Sequence, residues 1–113
     1  MTFDGEIEWS DYGFIILCCD IDGDDNRDIV VGADYLRHQV GRVYVYWGSE
    51  LSGTKPKPGR IFTGENPAEW FSSGMACGDV NNDGYDDLII GAHGYKAGSN
   101  QGRAYLYYGG PKH

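Results

Sequence analysis

Two acidic loops set a fixed distance apart constrain this 113-residue chain more than any other feature. The second loop, Asp79-Val80-Asn81-Asn82-Asp83-Gly84-Tyr85-Asp86-Asp87, leads into the apolar run Leu88-Ile89-Ile90-Gly91-Ala92. The first, Asp20-Ile21-Asp22-Gly23-Asp24-Asp25-Asn26-Arg27-Asp28, leads into Ile29-Val30-Val31-Gly32-Ala33. Asp79, Asn81, Asp83 and Asp87 follow Asp20, Asp22, Asp24 and Asp28 by the same 59 positions. One such loop alone points to a metal site, with an ordinary hairpin turn, which Asp, Asn and Gly favour, as the alternative. Two that share oxygen spacing, apolar run and closing Gly-Ala point to a common metal-binding design.

Oxygen donors at alternate positions around a glycine turn suit a hard cation. Calcium fits best, because it takes roughly 6–8 oxygens in a tolerant geometry while magnesium needs a near-regular octahedron. The second loop starts as an EF-hand does, but the twelfth position, where an EF-hand places a bidentate Glu, is Ile90 inside a β-branched run. The spacing therefore predicts a nine-residue loop between two strands, with Asp79, Asn81, Asp83 and Asp87 as side-chain ligands and the Tyr85 carbonyl as another. The formal charge of −8 gathers largely in these loops, and two calcium ions would halve it to −4. Without the ions the carboxylates would repel one another, so stability is expected to depend on calcium.

The repeat extends beyond the loops. Phe3, Gly5 and Glu6 match Phe62, Gly64 and Glu65, so a short opening strand is expected at 2–6 and at 61–65. Second strands are expected at Tyr12–Cys19 and Phe71–Gly78, and third strands at 28–31 and 87–90, after the loops. The fourth are Gly41–Gly48 and Gly102–Gly109, now 61 apart because the connection before the second copy is two residues longer. Val43, Val45 and Trp47 alternate with Tyr44 and Tyr46, the period-two pattern of a strand. The chain divides on this reading into a first repeat, 1–60, with loop 20–28, and a second, 61–113, with loop 79–87.

Four short strands repeated at about 60 residues are the mark of a β-propeller blade, and the fold class is all-β. Two four-stranded blades fall short of the four to eight that close a propeller. The 61–65 strand would pair with the preceding blade's last strand and form its outer edge. By that count the second blade lacks its outer strand and 2–6 is an outer strand without a blade. The chain is then either an excerpt of a longer propeller or a subunit of a head-to-tail homo-oligomeric ring, with 2–6 of one copy paired to 99–108 of the next.

Composition removes several functions. Net negative charge argues against a nucleic-acid partner, whose affinity comes from Lys and Arg on phosphate. No stretch is long and apolar enough for a membrane span, and the N-terminus lacks the basic and apolar regions of a signal peptide. Cys18, Cys19 and Cys77 cannot all pair within the chain, and small buried residues on inner strands are the expectation for them. His38, His93 and His113 are scattered, and no nucleophile–base spacing stands out, so no catalytic residue is assigned.

Tyr12-Gly13-Phe14 before the first loop and Val31-Gly32-Ala33 after it resemble the ends of an FG-GAP repeat, the unit of integrin α-subunit propellers. Ile90-Gly91-Ala92 keeps the second end with His93 in place of proline, while Phe71-Ser72 is a weaker form of the first. The resemblance covers nearly the whole chain. It implies a D-x-[DN]-x-D-G-x-x-D calcium loop, and so ligands from Asp20, Asp22, Asp24, the Asn26 carbonyl and Asp28, alongside Asp79, Asn81, Asp83, the Tyr85 carbonyl and Asp87. The first loop departs from that pattern with Asp25 at the glycine position, where Asp tolerates a left-handed backbone better than most residues.

The resemblance further implies an extracellular or cell-surface binding module with two structural calcium ions and a protein ligand, as in cell adhesion. Ligand contacts would come from connections 34–40, 49–56 and 93–101. A carbohydrate-binding, lectin-like module is the alternative, with Trp9, Trp47 and Trp70 available to stack on sugars, against the reading of those rings as packing. A third possibility is an accessory repeat region of a larger extracellular hydrolase.

Overall fold

The computed structural model describes residues 1–5, 11–34, 40–65, 70–96 and 101–112. Seven strands follow in order: β1 Ile15–Cys19, β2 Asp28–Ala33, β3 Arg42–Tyr46, β4 Arg60–Thr63, β5 Phe71–Gly78, β6 Asp87–Lys96 and β7 Gln101–Tyr107. They form two antiparallel sheets, one ordered β1-β2-β3-β4 and the other β5-β6-β7. No α-helix occurs among the described residues; a single 3-10 turn covers Gly48–Glu50. β-branched and aromatic residues dominate β2 and β3, where Val30 and Val45 face each other across the pair with Val31 opposite Tyr44.

As expected, β4, which opens the second repeat, closes the first sheet: Phe62 pairs with Val43 and Arg60 with Val45. Within the second sheet Ile90 lies between Met75 and Tyr105. The sheets stack face to face. Val30, Val43, Val45 and Trp47 of the first meet Phe71, Leu88 and Ile90 of the second in one buried cluster. The opposite face of the first sheet carries its own cluster of Val31, Ala33, Tyr44 and Tyr46, with Phe3 and Tyr12 packed on it. The phenol of Tyr12 is hydrogen-bonded to that of Tyr46, and burial together with that bond pushes its pKa above the usual tyrosine range.

Three expectations need correction. Residues 2–5 form no strand; Phe3 instead packs edge-on to Tyr46 with ring centroids 4.8 Å apart. A strand needs a neighbour's backbone to bond to, and Thr2 has its N–H on the Thr54 carbonyl. The segment 12–14 is likewise a turn, and the strand begins at Ile15. Asp11 and Gly13 are left-handed there (φ 58° and 93°), and Phe14 donates to the Asp11 carbonyl at 3.0 Å. The second repeat contains the same turn at Trp70 and Ser72 (φ 59° and 76°), closed by Ser73 N–H on the Trp70 carbonyl, as an irregularity where β5 starts. Finally, two of the three cysteines are not free thiols: Cys19 and Cys77 form a disulfide that crosses between the sheets, and Cys18 is exposed.

Candidate metal loops

Each acidic loop is folded by its own carboxylates. In the first, Asp24 and Asp25 N–H groups donate to the two oxygens of Asp20 (3.1 and 2.9 Å), and Asn26 N–H donates to Asp24 Oδ1 at 2.9 Å. Asp28, fully buried, takes Ile21 N–H at 2.8 Å and Gly48 N–H at 2.9 Å on its two oxygens. The second loop repeats all five bonds. Asp83 and Gly84 N–H groups donate to Asp79 and Tyr85 N–H to Asp83, while Val80 and Gly109 N–H groups donate to the buried Asp87. Such a network orients the accepting carboxylates within each loop and is compatible with a cation, because a carboxylate oxygen that accepts one N–H keeps lone-pair capacity.

The turn geometry needs two left-handed residues per loop. Asp25 takes φ 68° where the second loop has Gly84 at 90°, and Gly23 takes φ 69° where the second loop has Asn82 at 61°. Asp and Asn enter this region more readily than other side chains do. Asp25 thus stands in for the glycine as expected. The left-handed position at Gly23 and Asn82 was not anticipated.

Three carboxylates converge in the first loop. Asp20, Asp22 and Asp28 each offer an oxygen, and these oxygens lie within 4.8 Å of one another. Asp22 Oδ1 is buried and has no hydrogen-bond partner among the described residues. Burial, with the Asp28 carboxylate beside it, pushes the Asp22 pKa up to about 6. Asp28 is likewise raised, chiefly by burial, against the lowering effect of its N–H partners. Asp24 and Asp79 go the other way: the Asn26 N–H and the Gly84 N–H respectively favour their charged forms. In the second loop the place of Asp22 is taken by the exposed amide of Asn81.

The residues present fit a calcium ion. Oxygens at 2.3–2.6 Å from one centre can stand at most about 5 Å apart, and the three Asp oxygens satisfy that limit. An uncompensated buried carboxylate oxygen costs free energy unless something positive meets it. Asp22 is therefore the residue whose position makes sense with an ion beside it.

Several residues at the site were not legible as functional. Asp86 links the loops: its N–H donates to the Asp20 carbonyl at 3.0 Å and its carboxylate accepts the Asp20 N–H at 2.9 Å. Its repeat equivalent is Arg27, so comparison of the repeats hid it. The amides of Gly48 and Gly109 hold the last Asp of each loop, and Gly110 N–H donates to the Ile21 carbonyl. Gly23 leaves room for the Tyr85 ring, which a Cβ there would meet at 2.7 Å. Nearby, Lys112 reaches Glu50 at 2.6 Å and Ser49 at 3.2 Å.

Of the proposed ligand-contacting connections, 35–39 and 97–100 lie outside the described residues, as do Glu6, Trp9, His38, His113 and the side chain of His93. Connection 49–56 is present and, with Trp47 and Lys57, borders a surface cavity of about 300 Å³. Trp47 is buried between the sheets, in packing.

The sequence profile of the FG-GAP repeat matches residues 13–46 and 70–107. Mouse phosphatidylinositol-glycan-specific phospholipase D is 35% identical over 115 residues, covering 91% of this chain and 14% of that protein. Human integrin alpha-8 is 33% identical over 120 residues, covering 98% of this chain and 11% of its own length. Mouse integrin alpha-IIb is 32% identical over 114 residues, covering 93% and 11%. The chain thus spans between a tenth and a seventh of the length of these relatives.

Proposed function

The chain belongs to the FG-GAP repeat family, and on that premise we propose that it is a calcium-binding β-propeller repeat module that serves protein ligand binding, as in cell adhesion. The observation that carries the reading is the duplicated carboxylate network with Asp22 Oδ1 left buried and unpartnered inside it. One ion would be held by Asp20, Asp22, Asp24, Asp28 and the Asn26 carbonyl. A second would be held by Asp79, Asn81, Asp83, Asp87 and the Tyr85 carbonyl. Bound calcium supplies positive charge that cancels carboxylate repulsion. The chain's own residues do the rest: Asp28 and Asp87 tie each loop to the glycine after the last strand of its repeat, and Asp86 ties loop to loop.

The role is structural, since in each repeat all the ligands come from one strand connection. We assign the chain no chemistry of its own; the phospholipase relatives share with it a stretch equal to 14% of their length. An extracellular or cell-surface location is supported by the Cys19–Cys77 disulfide, which persists in oxidising compartments. No helix among the described residues is long and apolar enough to cross a membrane.

Calorimetric titration of chelator-stripped protein tests the reading. Two calcium ions should bind per chain, Asp22→Ala should remove one of them, and calcium at about a hundredfold over its dissociation constant should stabilise by about 2.7 kcal/mol per site. Absence of calcium binding, with melting indifferent to chelator, would refute it.

A further inference from the structure

The core between the sheets and the outer cluster of the first sheet are built from equivalent residues, one repeat apart. The second sheet and β4 contribute Phe62, Phe71, Leu88, Ile90, Tyr105 and Tyr107 to the core. The outer cluster uses Phe3, Tyr12, Ile29, Val31, Tyr44 and Tyr46, the same positions one repeat earlier. Even the ring pairs recur: Phe3 packs on Tyr46 as Phe62 packs on Tyr107. The outer cluster is therefore half of a sheet–sheet junction.

The matching half is on the same chain. Across the core those residues are met by Ile21, Val30, Val45 and Trp47, whose equivalents one repeat on are Val80, Ile89, Leu106 and Tyr108. Of these, Ile89 and Leu106 alternate along their strands with the core residues Leu88, Ile90, Tyr105 and Tyr107 and so face the other side of the second sheet. Three of the four equivalents are open to solvent: Val80 is 54% exposed, Leu106 44% and Tyr108 64%, and Ile16 on the outer face of the first sheet is 60% exposed. Burying two such apolar faces against each other is what drives association.

We propose that a second copy of this chain docks its second sheet on the outer face of the first sheet, head to tail, in the geometry the two sheets already use within one chain. The contact is heterologous, so it closes into a ring when the rotation per copy permits. A propeller of four to eight sheets corresponds to roughly two to four copies. Charge favours the pairing. The place that Asp86 occupies against Asp20 within the chain falls to the exposed Arg27, which would meet the acidic 79–87 loop of the neighbour. Carrying the β3–β4 register over by one repeat sets Arg103 opposite Asp4 and Ala104 opposite Phe3, with opposite charges directly across the strands.

The disulfide supplies the test. Cys77 bonds Cys19 across the intrachain junction; in the junction between copies the equivalent of Cys77 is Cys18, and the equivalent of Cys19 is Gly78. A Cβ at Gly78 would meet nothing within 4 Å. The chain and its Gly78→Cys variant are studied in excess calcium, with a low-molecular-weight disulfide as oxidant. Cys18 thiolate displaces one thiol of the reagent, the introduced thiolate displaces the other, and the reagent takes up both electrons. Native mass spectrometry should show closed oligomers of the unmodified chain, and roughly tenfold weaker assembly for Arg27→Glu. Gly78→Cys should give disulfide-linked oligomers that disappear when Cys18→Ser is added. An unmodified chain monomeric at every concentration, or a crosslink indifferent to Cys18→Ser, overturns the proposal. Calcium binding is read separately by calorimetry, so failure of the metal reading is distinguishable from failure of the docking.

Discussion

At the scale of single residues, the left-handed backbone positions carry the most information. Asp25 and Asn82 occupy that region with side chains that tolerate it. Ser72 does not have this excuse: it sits at φ 76°, fully buried, with its hydroxyl unpartnered among the described residues, where the first repeat has Gly13 at φ 93°. Ser72→Gly should therefore stabilise the protein by about 1 kcal/mol, because relief of a strain of about 1–2 kcal/mol outweighs the extra chain entropy of glycine. Chemical denaturation would show it as a higher midpoint with unchanged slope; a lower midpoint would mean that the serine makes a bond worth more than the strain. The weak FG match at Phe71-Ser72 hinted at this position, but only the backbone angle shows what the missing glycine costs.

At the scale of elements, strands and loops were legible to different degrees. The strands at Phe71–Gly78 and at the two fourth positions fell within two residues of the observed elements, since alternation of apolar and polar residues is a local signal. At 12–14 Tyr12 and Phe14 resemble the start of the strand expected from Tyr12, while the left-handed Asp11 and Gly13 make the segment a turn. The spacing of the loop oxygens is legible in the sequence; the link between the loops is not. Asp86→Ala leaves the Asp20 N–H without its acceptor, which should cost about 1–2 kcal/mol and weaken calcium binding in the first loop, 66 residues away. Asp86→Asn, which keeps an acceptor oxygen, should recover most of both. Calorimetry on the pair would decide: equal binding in all three proteins would mean that the two loops fold independently.

For the whole molecule, the Cys19–Cys77 disulfide joins residues 58 apart and ties the two sheets together. Constraint of an unfolded loop of that size contributes about 4 kcal/mol, a large part of the stability of a domain this small. Reduction, or Cys77→Ser, should lower the unfolding free energy by about that amount at saturating calcium. Chelation and reduction should act non-additively, since Cys19 directly precedes Asp20 and Cys77 lies two residues before Asp79, so that disulfide and loops constrain the same junction. A reduced protein that melts with the oxidised one would show that sheet packing alone holds the junction.

Sequence by itself determined the repeat, the all-β class, the spacing of the loop oxygens and the alternation that gives each strand its two faces. All of these are local periodicities, which a chain displays before it folds. Tertiary structure decided which face of each sheet is covered, which of two adjacent cysteines crosses to Cys77, and that Asp86 and not Arg27 stands at the junction between the loops. In a strand, neighbouring side chains point to opposite faces, so Cys18 and Cys19 differ only by which side the second sheet lies on. That side is a property of packing, and no spacing along the chain records it.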